Sequence, residues 1–455
     1  MDNRGNFSSK IGIILASAGS AVGLGNVWRF PTEVGRNGGA AFILIYIACV
    51  LIIGVPLMVS EFVIGRHTHA NPADAYRQLA PRSGWVLQGY LGVFTAWFIL
   101  CYYGVVAGWT LKYLVDALLL STSSITDSAA FFTEFTAQPL IPITYMVIVV
   151  VMCHLIIVRG VQGGIERSSK LMMPLLFIIM IVLTVCSFFM PGTEKGLTFL
   201  LKPDFSLITP DVVLSAMGQA FFSLSIAMGC LCTYASYFTN DSNLVKTASS
   251  VAAIDTLVAI MSGFIIFPAV FSVSEVAPDA GPGLVFITLP NVFSIAFANA
   301  PVLGAVFAVL FYMLLLLAAL TSMVSIHEPA TAFVIEHFHV KRYLATRYVT
   351  VSVICIGMLC SLSFGVLKGV HVPLFDMTFF DFFDFISAKI FLPVGGFIIS
   401  LFVGWRLKRK LVVGELTNNG TLRLSRLLLL GYIFLLRWVI PIAIVAIFLK
   451  ELKLI

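Results

Sequence analysis

Two glycine- and serine-rich stretches, Gly19-Ser20-Ala21-Val22-Gly23-Leu24-Gly25-Asn26 and Ser223-Leu224-Ser225-Ile226-Ala227-Met228-Gly229, each interrupt an apolar run that otherwise reads as a helix. A helix that unwinds inside a bilayer frees amides and carbonyls that lipid cannot satisfy, so the freed groups must line a site. Their chemistry suits small charged species. Half-helix N-termini offer N–H groups and a positive dipole end to an anion, and unwound carbonyls coordinate a hard cation. Gly and Ala let those carbonyls come close. Asp255 lies within another apolar run, and an ionisable group at such a place is by default functional; a capping or protonated Asp is the bland alternative. Enzyme chemistry has no counterpart here, since neither a Gly-x-Ser-x-Gly elbow nor a His-Glu-x-x-His run occurs.

The elements that must position these residues are membrane helices. The chain is 59% hydrophobic and 11% charged over 455 residues, with a mean hydropathy of +1.01, whereas a soluble fold is about a quarter charged. At roughly 20 apolar residues per crossing, the hydrophobic runs predict eleven helices, over 10–35, 41–66, 88–119, 141–158, 166–189, 211–238, 246–274, 300–336, 341–365, 376–406 and 427–449. The expected fold is an all-α polytopic membrane protein in a lipid bilayer, one transporter domain over 1–455. The breaks open the first and sixth spans. If spans 1–5 match spans 6–10, the chain is an inverted repeat of two five-helix halves, 10–189 and 211–406, with 427–449 as a peripheral eleventh helix. Paired interruptions in corresponding halves point to a secondary transporter's binding site near the bilayer midplane. The stretch Ala280-Gly281-Pro282-Gly283-Leu284 is expected to begin a hairpin dipping toward the outer vestibule.

A net charge of +6 could suggest a nucleic-acid partner, but its distribution reports topology. Arg4, Lys10, Arg66, Arg77, Arg82, Arg159, Arg167, Lys170, Lys246, Lys341, Arg342, Arg347, Arg406, Lys408, Arg409, Lys410, Arg423 and Arg426 gather on alternate loops and make 18 of the 28 Lys and Arg. The positive-inside rule then puts the N-terminus in the cytoplasm, and an odd number of spans puts Lys453 outside. No short apolar leader with a cleavage site is evident. All eight cysteines fall in or beside hydrophobic runs, and Cys230-Leu231-Cys232 lacks the companions of a zinc site. Together these features fit a bacterial inner membrane.

The string Ala18-Gly19-Ser20-Ala21-Val22-Gly23-Leu24-Gly25-Asn26-Val27-Trp28-Arg29-Phe30-Pro31 closely resembles the first helix of the neurotransmitter:sodium symporter family. Further matches are Asn37-Gly38-Gly39-Ala40-Ala41-Phe42, Pro56-Leu57 with Glu61, Gly65-Arg66, Gln219 through Ser225, and Leu320-Thr321-Ser322. They run in order across residues 4–406, and the eleven spans suit the family's bacterial amino-acid branch. The resemblance implies two sodium sites and no organic cofactor. One sodium would sit among the Ala21 carbonyl, Asn26, Ser223, Asp255 and the substrate carboxylate. The second would sit among the Gly19, Val22 and Ala318 carbonyls and the Thr321 and Ser322 hydroxyls. A Ser-Thr pair on a membrane helix is otherwise usually back-bonded to its own turn.

Chloride-dependent relatives resemble this chain at Tyr46, Gln219 and Ser223 but lack an acid in the seventh helix, which implies that Asp255 supplies the charge chloride would bring. Other bacterial relatives carry a Glu one turn further on, where this chain has Ala259. Amine-transporting relatives carry an Asp where this chain has Gly23, so the resemblance implies an L-amino acid whose carboxylate completes the first sodium site, helped by the Leu24 and Gly25 amides and the Tyr103 hydroxyl. Ser225 and the Ala21 and Phe222 carbonyls would take the ammonium. A pocket of Ile99, Phe222, Ser225, Ala227, Met228, Ser322, Ser325 and Ile326, with its flexible methionine, favours a hydrophobic or aromatic side chain over glycine.

Arg29 and Asp384 match the family's outer gate, with Tyr103 and Phe222 as its lid. Arg4 and Glu336 match the inner gate, with Phe7 in the usual place of a Trp. Glu61 is expected to hold freed backbone groups of the sixth helix. Gly164 and Pro174 both weaken helical bonding, so the fifth helix is expected to unwind on the way inward. Lys389 is expected to snorkel, to pair with Asp381 or Asp384, or to belong to an unrecognised site, and His327 and Glu328 to face the cytoplasmic path. No obligate protein partner is evident. A proton-coupled carrier is the nearest rival, through Asp255, Glu61 and Lys389; a channel or amino-acid-sensing receptor is a more distant one.

Overall fold

The computed structural model describes residues 5–119, 127–273, 283–297 and 300–451. Arg4, residues 280–282 of the expected hairpin and Lys453 lie outside the described residues. Among those described the protein is helical, with a single isolated bridge between Val372 and Met377.

The first expected span is α1 (Lys10–Ala21) followed by α2 (Gly25–Arg36), and the two are bent by 52° at the break. Ser9 caps α1 by accepting from the Gly12 amide at 3.0 Å, satisfying one of the donors that a helix start leaves free. After Gly38 and Gly39, both at positive φ, the chain enters α3 (Ala40–Thr68). That helix carries a wide turn at Val50–Gly54, just before Pro56, which has no N–H to give its own helix. The short α4 (Pro72–Leu79) precedes α5 (Val86–Leu118), α6 (Ser128–Ala137), α7 (Ile141–Ile157) and α8 (Val161–Ser187).

The second half brings α9 (Thr193–Leu201), α10 (Pro210–Ser223), α11 (Cys230–Ala235) and α12 (Leu244–Val270). Then follow α13 (Leu289–Ala296), α14 (Pro301–Phe338), α15 (Arg342–Leu362), α16 (Phe379–Arg406), α17 (Arg409–Leu416) and α18 (Arg426–Leu449). The expected sixth span is present as α10 and α11, each too short to cross a bilayer alone. Among the described residues eight helices are long and apolar enough to cross, or ten with the bent pairs α1–α2 and α6–α7 counted as single spans. The short helices α4, α6, α9, α13 and α17 were not expected, because none contains the long apolar run by which a crossing is read from sequence.

Helix α1 packs against α8, α12 and α14, and α5 lies along α14. The two interrupted helices therefore sit inside a frame of uninterrupted ones. Close approach makes this possible: a Cβ at Gly65 of α3 would collide with the Cys232 carbonyl of α11. The last helix lies at the edge, packing on α10 and α16, with 28% of its apolar stretch buried against 78% for α5.

The expected unwinding of the fifth helix is absent from this conformation. Val161–Glu166 forms a wide helical turn opened by Gly160 at φ 83°, and α8 continues through Pro174. The turn is held on two sides: Glu166 accepts from the Ser8 amide at 2.7 Å and pairs with Lys170 of its own helix at 2.6 Å.

Candidate functional site

The first break leaves Val22, Gly23 and Leu24 between α1 and α2. Its loose amides find side chains. Gly23 N donates to Asn26 Oδ1 at 3.0 Å, and Leu24 N to the Tyr103 hydroxyl of α5 at 3.0 Å. In the second break Ser225, Ala227 and Gly229 all take positive φ, which costs the two non-glycine residues strain that the packed surroundings must hold. Glu61 of α3 spans the gap, accepting from Ala227 N at 2.6 Å and from Cys232 N at 3.3 Å. Ser225 Oγ ties the two breaks together by donating to the Ser20 carbonyl at 2.7 Å.

One polar cluster forms where α2, α3, α10 and α12 meet. Asp255 is fully buried. Its Oδ1 accepts from Asn26 Nδ2 at 2.6 Å, and its Oδ2 from the hydroxyls of Ser223 at 2.9 Å and Tyr46 at 3.1 Å. Asn26 Nδ2 also lies 3.2 Å from Ser223 Oγ. Gln219 stands apart from the carboxylate, donating to the Gly25 carbonyl at 3.3 Å, while its own Oε1 has no hydrogen-bond partner in the structure. Charged hydrogen bonds of this kind are stronger than neutral ones and hold a buried carboxylate in place. Ser262, two turns beyond Asp255 on α12, donates to the Asn26 carbonyl at 2.6 Å. Sequence reading missed it, though the spacing of seven residues from Asp255 places both on one helix face.

A second, neutral cluster joins α1 to α14. Thr321 Oγ1 lies 3.3 Å and Ser322 Oγ 3.1 Å from the Val22 carbonyl. Thr321 also bonds its own helix, at Ala318 O, 3.0 Å away. A Cβ on Gly19 would stand 3.3 Å from Thr321 Cβ. Gly19, Val22, Ala318, Thr321 and Ser322 thus converge. Both clusters present hard oxygen donors, and no group of three or more His, Cys, Asp or Glu suited to a transition metal occurs among the described residues. Neutral carbonyls and hydroxyls with at most one carboxylate fit a monovalent hard cation, not a soft or highly charged one.

Between the clusters lies Gly23. A Cβ there would stand 3.0 Å from the Tyr103 hydroxyl and would collide with Ser322 Oγ. A Cβ on Gly25 would stand 3.0 Å from the Phe222 ring. Ile99, Tyr103, Ser225, Ala227, Met228, Ser322, Ser325 and Ile326 are all buried, and Phe222 is half-buried. Ser325 Oγ is turned back to the Ser322 carbonyl at 2.7 Å, so in this conformation its hydroxyl serves its own helix.

The Arg29 guanidinium lies 4.5 Å above the Phe222 ring, and among the described residues no ion pair links it to Asp384. Lys389 is exposed and lines a cavity with Arg29, Phe222, Leu392 and Ile444. On the inner side Glu336 accepts from the backbone and side-chain amides of Asn71 at 2.9 and 2.7 Å. Phe7 is buried edge-on against Tyr234 and Tyr237, with ring centroids 5.9 and 6.2 Å away. Lys10 bonds Asp241 at 2.9 Å, which holds that carboxyl below its ordinary range. His327 and Glu328 do not face an open path. Both are fully buried, Glu328 paired with Arg342 at 2.5 Å and His327 between Thr331 and Thr350.

Comparison with known proteins bears on the family and the fold. The model of the "Sodium:neurotransmitter symporter family" matches residues 4–133 and 134–454. A sodium-dependent transporter of Bacillus subtilis, YhdH, is 37% identical over 98% of this chain and 97% of its own length. One of Haemophilus influenzae is 34% identical over 99% and 98%. Among solved structures, that of MhsT in complex with L-phenylalanine superposes with a TM-score of 0.89 at 40% identity, covering 99% of this chain and all of that one.

Proposed function

The chain belongs to the sodium:neurotransmitter symporter family, and from that premise we propose that it imports a hydrophobic or aromatic L-amino acid together with sodium by alternating access. Membership makes it a membrane transporter and not an enzyme. The observation that carries the finer reading is Gly23, set between Tyr103 and Ser322 with no acidic side chain of its own. A substrate carboxylate placed there meets the Leu24 and Gly25 amides at the start of α2, where the helix dipole favours an anion. It also completes the oxygen shell offered by Asn26, Ser223 and Asp255. Substrate and ion then bind as one unit, and each raises the other's affinity.

The second ion takes the neutral cluster of Gly19, Val22, Ala318, Thr321 and Ser322. The side-chain pocket is lined by Ile99, Phe222, Ala227, Met228 and Ile326 around the ammonium partners Ala21, Phe222 and Ser225. Bound L-phenylalanine in MhsT supports an aromatic occupant. Asp255 supplies a fixed negative charge beside Tyr46 and Ser223, so transport needs no chloride. Arg29 with Asp384 closes the outer side over Phe222, and Arg4 with Glu336 closes the inner side over Phe7. In this reading residues 10–189 and 211–406 are the two inverted repeats. The N-terminus is cytoplasmic, the C-terminus outside, and the membrane a bacterial inner one.

Binding of radiolabelled L-amino acids to the purified protein, in chloride-free sodium or potassium buffer, tests this directly. Sodium-dependent binding of phenylalanine, tyrosine, tryptophan or leucine, with glycine excluded, is expected. Equal binding in potassium overturns the ion sites, and preference for glycine overturns the pocket.

A further inference from the structure

Beside the second break lies a small, partly open cavity with room for about one water-sized molecule. Glu61, Tyr76, Gln88, Ala227 and Gly229 line it, from α3, α4, α5 and the unwound segment. Two of its polar atoms, the Tyr76 hydroxyl and Gln88 Oε1, are buried without a hydrogen-bond partner in the structure. Each residue is only 3% exposed. Leaving one such group unsatisfied costs about 1–3 kcal/mol, and two on one cavity wall are seldom tolerated.

The donor and acceptor pattern identifies the occupant. Tyr76 offers an O–H to give and Gln88 a carbonyl oxygen to fill. Glu61 has about four acceptor sites on its carboxylate, and Ala227 N and Cys232 N use two of them. A molecule that accepts once and donates twice satisfies all three residues. We infer that a single ordered water sits between Tyr76, Gln88 and Glu61, making the unwound segment of the sixth span part of a hydrogen-bonded joint with α4 and α5. It accepts from Tyr76 and donates to Gln88 and to Glu61. A bare cation meets the two oxygen acceptors but leaves the Tyr76 proton without a partner.

The joint has a mechanical consequence. Glu61 fixes Ala227 directly, and the water fixes Glu61 to α4 and to Gln88 near the start of α5, the helix that also carries Ile99 and Tyr103. The backbone that carries Ala227 and Met228 is thereby referenced to the cytoplasmic helix α4, whose capping residue Asn71 bonds Glu336. The pocket floor and the inner side then move as one piece, whichever amino acid is carried.

A high-resolution map of the full-length protein in lipid nanodiscs is the decisive test. A density peak at hydrogen-bonding distance, about 2.7–3.2 Å, from Tyr76 Oη, Gln88 Oε1 and a Glu61 oxygen is expected. A map that resolves other buried waters but shows nothing there overturns the inference, as does a peak at the roughly 2.3–2.6 Å typical of cation–oxygen contacts. Thermal unfolding of Tyr76→Phe, Gln88→Met and the double variant reads the same bridge without transport. Each single change is expected to lower Tm, and the double variant to fall little below the worse single one, because the first change already breaks the bridge. Fully additive shifts overturn the inference. Should the variants fail to fold, the wild-type map alone decides.

Discussion

The side-chain amide of Asn26 donates to the carboxylate of Asp255 at 2.6 Å, joining the start of α2 to the middle of α12 across the break in the first span. Two residues 229 positions apart thus share one buried cluster, and the ion chemistry proposed for the site rests on it.

Replacing the carboxylate is the sharpest probe of that chemistry. Asp255→Ser keeps a small hydrogen-bonding side chain beside Tyr46 and Ser223 but removes the charge. Uptake into proteoliposomes in chloride-free sodium buffer is expected to fall to background, and added chloride to restore part of it. Undiminished chloride-free uptake by this variant refutes the surrogate role.

The neutral cluster is testable through its two hydroxyls. Thr321→Val with Ser322→Ala removes both hydroxyl oxygens near Val22 O while leaving the helix intact. The sodium concentration for half-maximal binding is expected to rise about tenfold or more, one lost ligand being worth at least the 1.4 kcal/mol of a decade. A sodium titration of substrate binding reads this, and an unchanged midpoint counts against the second ion.

Gly23 has no room for a side chain on its Ser322 side. Gly23→Ala is expected to weaken amino-acid binding by about tenfold or more and to lower Tm as well, since the new methyl meets Ser322 Oγ and the Tyr103 hydroxyl. Scintillation-proximity binding and a melting curve separate the two effects. Tyr103→Phe removes the acceptor of the Leu24 amide and is expected to weaken binding by about five- to thirtyfold, the worth of one to two kcal/mol.

Away from the site, Glu328→Ala strands the Arg342 guanidinium, whose partner is wholly buried. Breaking a buried pair by removing one member costs about 3–5 kcal/mol, so a marked fall in Tm is expected. Glu328→Ala combined with Arg342→Met is expected to recover much of it.

Much of this protein was legible before any coordinates. Apolar runs of bilayer length announce the crossings, because lipid tolerates little else, and the glycine-rich interruptions mark where freed backbone groups need partners. Asp255, Glu61 and the Thr321-Ser322 pair stand out for the same reason: polar groups in lipid must be used. What sequence could not contain is which of these groups meet. That Asp255 reaches Tyr46 and Ser223 while Gln219 turns to Gly25, that His327 and Glu328 are locked in a packed network, and that Arg29 rests on Phe222 are matters of helix rotation and tilt. Those angles come from close packing between helices distant in the chain, such as Gly65 against Cys232, and ridge-and-groove contact leaves no periodic trace in either partner alone. The short amphipathic helices escaped for a related reason, since their identity depends on the surface each one covers. Composition and the breaks determined that the chain spans a membrane and which backbone groups are freed within it; the packing of α3, α5, α12 and α14 around those breaks decided what those groups meet.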